Sequence, residues 1–282
     1  MKKKLLALAL TAAMCASLAA CGGSSSGEAT SAAGGETTTA AAGGEGAEAQ
    51  TQAEEAGDPV KGGTLTISLS ASPSKLDPIH YTGTYESQII KEVCDTLIEY
   101  NSQLSDYEPC LATEWSISDD GTQYVFKIRE GVKFHPGQYQ DGRELTADDI
   151  AYSLNRSGEL SDSNRLSMLE KAEVTGDFEV TCTLKSPNSS FLTALTDAGN
   201  AIVPKEEVEG WGEEFGNHLV GTGPFIMESF ALDQEAVLQK NADYWMTEPY
   251  IDTLVFKVIT DSTQAANALQ TGEVDIAMDL KG

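Results

Sequence analysis

Between Cys21 and Pro59 the chain offers nothing that can pack. Residues 22–58 consist of Gly, Ser, Ala, Thr, Gln and Glu with a closing Asp, and they include seven acidic side chains and no basic one. Without large apolar groups such a segment cannot offset the conformational entropy lost on ordering, so it reads as a flexible acidic tether. Its root-mean-square reach is on the order of 35 Å on Gly/Ser-like scaling, and self-repulsion extends it. Whatever folds must therefore lie in residues 59–282, which is enough for one large domain or two modest ones.

Ahead of the tether, residues 1–21 read MKKKLLALALTAAMCASLAAC. Three lysines, an apolar run from Leu5 to Met14 and small residues before a cysteine are the pattern of a secretion signal. The run is shorter than the roughly 20 residues that cross a bilayer. Leu18-Ala19-Ala20-Cys21 resembles a bacterial lipobox, which makes Cys21 the lipid-attachment residue and the first residue of the mature protein. The formal net charge is −26, and loss of Lys2, Lys3 and Lys4 with the signal makes it more negative still. So acidic a surface excludes nucleic-acid binding, where Lys and Arg must be in excess.

Past the tether, periodicity marks the elements. Thr64–Ser70 alternates Leu65, Ile67 and Leu69 with hydroxyls, which predicts a first strand. Pro73 and Leu76-Asp77-Pro78 end it in a loop, and Tyr85, Ile89, Ile90, Val93, Cys94, Leu97 and Ile98 then recur at helical spacing. The strand, loop, helix order puts Ile79–Tyr85 beyond a strand end, where open α/β sheets hold ligands. His80, Tyr81, Thr82 and Tyr85 are thus candidate cleft residues, unless they only cap the helix and pack the loop. A hairpin follows, Trp115 and Ile117 facing Tyr124, Phe126 and Ile128 across Asp119-Asp120-Gly121. Gln123–Ser153 then runs from strand through a Pro136-Gly137…Asp141-Gly142 loop into a helix capped by Thr146 with Asp149 three residues on. A second hairpin turns at Gly176-Asp177, with Phe178, Val180, Cys182 and Leu184 alternating. Asp197–Pro204 predicts a short buried strand. Leu219–Phe230 and Ala236–Gln239 form a strand pair, Ile251–Ile259 a central apolar strand, and Ala265, Ala268 and Leu269 a helix that Gly272 ends. Val274, Ile276 and Met278 alternate in a last strand.

Catalytic chemistry does not assemble from these residues. His80, His135 and His218 never pair at metal-ligand spacing, no carboxylate pair stands out from so many acids, and Gly221-Thr222-Gly223-Pro224 lacks the ending of a phosphate loop. No metal and no cofactor is implied. Cys94, Cys110 and Cys182 remain in the folded part; a Cys94–Cys110 bridge is open, but a fold of this size suits buried free thiols.

Four blocks carry a resemblance: GGTLTISLS…LDP, LATEWSISDDGTQYVFKIREGVKFHPG…DGRELTADDIAYSL, VGTGPFIMESF and NADYWMTEPYIDTLVFKVITDSTQAANALQTGEVDIA. In this order they resemble the extracellular solute-binding proteins of the peptide/nickel ABC importers, family 5. The resemblance implies an α/β, type II periplasmic-binding-protein lobe with an inserted β-rich subdomain. In that division residues 1–20 are the signal, 21–58 the tether, 59–100 the first part of the N-terminal lobe, 101–187 the subdomain and 188–282 the return to the lobe, with the second lobe absent. It also implies a monomeric, non-enzymatic clamp anchored by lipid outside the bacterial cell membrane, which captures di- or oligopeptides and passes them to ABC permease subunits. By family analogy Tyr81, Thr82, Gly83, Tyr85, Asp197 and Asn200 contribute to the ligand site, other contacts falling on the second lobe, so the 282-residue chain alone is expected to bind weakly. A nickel chelate, haem or an oligosaccharide is the alternative cargo. A sensing module docked on a receptor is the alternative role, and a surface hydrolase the third reading. Read beside the other blocks, Gln123–Ser153 is scaffold.

Overall fold

The computed structural model describes residues 60–280, which lie in one compact unit. The expectations for the signal, for Cys21 and for the tether fall outside the described residues.

The strands and helices, in chain order, are β1 (Thr64–Leu69), α1 (Thr84–Val93), β2 (Ile98–Tyr100), β3 (Tyr107–Pro109), β4 (Ala112–Ile117), β5 (Gln123–Ile128), α2 (Ala147–Leu160), β6 (Leu169–Gly176), β7 (Glu179–Leu184), α3 (Phe191–Leu195), α4 (Lys205–Trp211), β8 (Phe225–Ala231), β9 (Glu235–Lys240), β10 (Thr253–Val258), α5 (Ser262–Thr271) and β11 (Ile276–Ala277). The first and last parts of the chain build one sheet in the order β11-β1-β10-β9-β8. β1 runs parallel to both β10 and β11, while β9 and β8 complete the sheet antiparallel. The middle of the chain builds an antiparallel sheet, β4-β5-β7-β6, packed by α2. This is the α/β lobe with a β-rich insertion that the resemblance implies.

Each sheet has its own core. Leu69, Ile89, Ile90, Val93, Phe215, Leu238 and Phe256 are buried together against the mixed sheet. Phe126, Ile150, Leu154, Val180, Cys182 and Phe191 fill the other core. The predicted hairpin is seen in register, Trp115 opposite Phe126 and Ile117 opposite Tyr124, and Gly121 turns it at φ 68°, a left-handed angle that favours glycine. The predicted cap of α2 is also present: Asp149 Oδ2 accepts from the backbone N–H of Thr146 at 2.9 Å, satisfying a donor that the helix start leaves open.

Two local expectations fail for tertiary reasons. Helical spacing runs on through Leu97 and Ile98, yet α1 stops at Val93, because the N–H of Gly223 donates to Val93 O at 3.0 Å and occupies the carbonyl that a further turn needs. Asp197–Pro204 is no strand. A short 3-10 turn, Ala198–Asn200, is followed by buried residues whose backbone is satisfied elsewhere: Ile202 N donates to Asp95 O at 2.9 Å, and Val203 N to Ser153 Oγ at 3.1 Å. The last strand is also shorter than predicted, two residues long.

The passage between the cores is held by Asp95, 7% exposed. Its carboxylate accepts from Thr222 Oγ1 at 2.8 Å, Trp245 Nε1 at 2.8 Å and Tyr244 Oη at 3.1 Å. Burial raises its pKa while these donors pull it down. In the loop between β5 and α2, His135 is buried with Nε2 2.9 Å from Gly223 O. A carbonyl only accepts, so Nε2 carries the hydrogen. Burial lowers the pKa of His135 to about 4 from an ordinary 6.5. The unfolded chain therefore binds the proton first as pH falls. Stability from this group is complete above pH 6.5 and is lost progressively on acidification towards pH 4, an effect of up to about 3 kcal/mol. Denaturant titrations of wild type and His135→Gln should show a steeper loss in that window for the wild type; parallel curves would contradict the assignment.

Candidate ligand-binding site

Strands β1, β10 and β11 point their carboxyl ends the same way, and the ladder extends past them: Ile259 N donates to Leu69 O at 2.9 Å and Met278 N to Ser68 O at 3.2 Å. Such an end is where an open sheet presents loops to a ligand. Tyr85, in the first turn of α1, reaches over it. Its hydroxyl lies 2.7 Å from Ser70 Oγ and donates to the Asp279 carboxylate. Ser70, Thr260, Asp261, Met278 and Asp279 line a cavity of about 240 Å³ there.

The loop from Ser70 to Gly83 is held by a buried ion pair. Arg156, on α2, donates through Nη1 and Nη2 to the two carboxylate oxygens of Asp77 at 2.8 and 2.6 Å, and both side chains are at most 10% exposed. Asp77 O in turn accepts from the N–H groups of His80 (2.9 Å) and Tyr81 (3.1 Å). Glu86, buried in α1, accepts from Ser74 N at 2.8 Å and fixes the start of the loop. Gly216 passes so close that a Cβ there would stand 2.7 Å from Asp77 N.

Tyr81 is brought to Asp197, 116 residues away in sequence, with its hydroxyl donating to Asp197 Oδ1 at 2.7 Å. Arg165 completes the cluster. Its Nε is 2.9 Å from the same Oδ1, its Nη2 donates to Tyr81 O at 3.0 Å, and its guanidinium lies 3.8 Å from the centre of the Tyr81 ring. Burial and the neighbouring carboxylate push the Tyr81 phenol up to about 12, so it stays a neutral donor. Gly199 N also donates to Asp197 Oδ1, at 2.8 Å. Among the described residues Oδ2 has no donor, and Arg165 Nη1 is buried without an acceptor.

The other predicted residues separate by role. Thr82 is exposed and Gly83, half-buried, caps α1. Asn200 is 1% exposed, accepts from Ser157 Oγ and donates to Ala194 O at 2.6 Å, so it braces the turn that carries Asp197. His80 turns aside to Asp162, 3.0 Å away. Arg165 escaped the sequence reading because its only signal is one basic residue in a Ser/Asp/Asn run between α2 and β6. Among the described residues no group of three His, Cys, Asp or Glu is placed to hold a metal. Cys94, Cys110 and Cys182 are buried free thiols, and burial pushes Cys182 up to about 12.

Residues 106–282 match the family described as bacterial extracellular solute-binding proteins, family 5 (middle). The chain belongs to this family. Like other family 5 solute-binding proteins, it has the type II periplasmic-binding-protein fold. It is 28% identical over 245 residues to the probable di/tripeptide-binding protein 5 of Pseudomonas aeruginosa, matching 79% of this chain and 47% of that one. Di/tripeptide-binding protein 2 of the same organism is 30% identical over 240 residues, at 77% and 45% coverage. Among solved structures, the periplasmic binding protein DppA of Helicobacter pylori in complex with the peptide STSA is similar, with a TM-score of 0.70, 29% identity and coverage of 77% of this chain and 46% of that one. The chain thus spans about half the length of the curated relatives it matches.

Replacing Arg156 with Leu strands the Asp77 charge in the interior, which is expected to cost about 3–5 kcal/mol. Urea denaturation of the variant measures it; a loss below about 1 kcal/mol, the scale of an exposed pair, would contradict the role given to this contact.

Proposed function

We propose that the protein captures di- or tripeptides outside the cell and delivers them to the permease of an ABC importer. The observation that carries this reading is the likeness, over more than three quarters of the chain, to two di/tripeptide-binding proteins and to a binding protein solved with a peptide. The geometry is consistent with it. A peptide needs main-chain hydrogen bonds and wet, tolerant side-chain pockets, and the cavity at the strand ends is lined by the polar groups of Ser70, Thr260, Asp261 and Asp279.

In this proposal Tyr81, Thr82, Gly83, Tyr85 and Asp197 form the wall of the N-terminal lobe, with Asn200 bracing it from behind. Arg165 joins them as a positioning residue that holds Tyr81 and Asp197 in place, while Asp197 Oδ2 accepts a peptide N–H. Binding closes the lobe against a second lobe by hinge motion, with no covalent step. The lobe comprises residues 59–100 and 188–282, and the subdomain residues 101–187. Cys21 carries the lipid that keeps the monomeric protein at the outer face of the bacterial membrane, beside its permease.

The test is calorimetric titration of the protein as its host makes it with a panel of di- and tripeptides, together with native mass spectrometry of what co-purifies. Peptide binding is expected, and Arg165→Met, which releases Tyr81 and Asp197 from the guanidinium, should weaken it by about tenfold, the weight of one charge-assisted hydrogen bond, with unchanged circular dichroism. Failure of every peptide, with a non-peptide compound co-purifying, would overturn the proposal.

A further inference from the structure

One face of α2 is spent on the inserted sheet, where Ile150 and Leu154 are fully buried. A second stripe of the same helix is not. Tyr152, Asn155, Arg156, Glu159 and Leu160 recur at the spacing of one helical face, and together with Val208, Glu209 and Glu213, on and just beyond α4, they line an open cavity of about 700 Å³. The lining is mostly apolar: Ile79 and Val208 are buried beneath it, and Leu160 stands 58% exposed. A second cavity, of about 460 Å³, continues the first, since both are lined by Asp77, His80 and Glu213. The two make an elongated groove over the loop that leaves β1.

Charge along this groove does not cancel. Asp77 and Arg156 neutralise each other, His80 is met by Asp162, and Glu209 by Lys205 of its own helix at 3.5 Å. Exposed Glu159 and Glu213 make no ion pair among the described residues, and Glu214 is tied only to the side-chain amide of Asn217. Three carboxylates without a cation therefore stand against one unpaired cation, Lys75 at the far end. No strand contributes to the lining, so a partner cannot add a strand there. An apolar groove walled by helices, with acidic margins, is complementary to an amphipathic helix whose apolar stripe is flanked by Lys or Arg.

We propose that the groove between α2 and α4 docks a basic amphipathic helix of a partner protein, which lays apolar side chains on Leu160 and Tyr152 and sets its cations against Glu159, Glu209 and Glu213. Every group named in this contact is exposed or half-buried. The docked helix would lie over the Asp77–Arg156 pair, which holds the loop carrying Tyr81. The docking surface does not depend on the peptide reading above and stands or falls without it.

The test is fluorescence anisotropy of a labelled, end-capped peptide of about 15 residues, long enough to form a helix, with leucines at i, i+3, i+4 and i+7 and lysines between them, titrated with the full chain. Saturable binding is expected, weakened by salt and lost when the same residues are scrambled so that no apolar stripe forms. Leu160→Ser should weaken it about tenfold through lost apolar contact, and Glu159→Gln and Glu213→Gln about threefold each. Leu232→Ser, equally exposed in the turn between β8 and β9, should leave it unchanged. No saturable binding, equal binding of the scrambled peptide, or equal effects of Leu160→Ser and Leu232→Ser would overturn the proposal. So would displacement by a saturating tripeptide, which would put the probe at the strand ends instead.

Discussion

The bidentate pair between Asp77 and Arg156 is the contact on which the proposed ligand face rests. Asp77 sits in the loop that leaves β1, and Arg156 sits on α2, which packs against the inserted sheet. Both are nearly excluded from water, so each charge would be costly to bury alone and is tolerable only with the other in place. The backbone carbonyl of the same aspartate then fixes His80 and Tyr81. The orientation of Tyr81, and through it the placing of Arg165 and Asp197, is therefore set by a helix of the subdomain. The helix packed on the inserted sheet thus supports the loop that carries Tyr81, and the two cores cannot be treated as separate modules.

A second consequence follows from the acidity of the chain. Its buried carboxylates are met by hydrogen-bond donors at least as often as by cations: Asp95 by a hydroxyl, a phenol and an indole, Glu207 by two backbone N–H groups and an indole, Asp149 by a helix start and Arg143. Neutral donors hold a charge in place without cancelling it. Negative potential therefore persists around the buried carboxylates that neutral donors hold. The cluster at Tyr81 is different, because there a guanidinium lies beside the carboxylate and pairs with it.

Much of the fold could be read from periodicity and turn chemistry. The alternation in β5 and β7, the hairpin at Gly121, the Thr146–Asp149 cap and the Gly272 stop of α5 are local signals, and the structure follows them because the tertiary environment agrees. Where it disagrees, the local signal loses. Leu97 and Ile98 lie at helical spacing from Val93, but Gly223 takes the carbonyl the helix would need. Ala201–Val203 reads as a strand, but Asp95 and Ser153 satisfy its backbone. For the proposed site, Tyr81 and Tyr85 follow from the position of a loop after a strand and Asp197 from family likeness. Arg165 was invisible because its partners are 84 and 32 residues distant in sequence, as separations between named positions show, and no local period encodes such pairings.

Hydrogen–deuterium exchange of the full-length protein, with and without a saturating tripeptide, tests the central claim most directly, because it reports where the ligand sits without disturbing any residue. The account predicts ligand-dependent protection of residues 70–85, 162–166 and 197–200, the backbone that carries Ser70, Tyr81, Tyr85, Arg165 and Asp197. Saturation with no added protection in those segments, and protection elsewhere in the lobe, would contradict it.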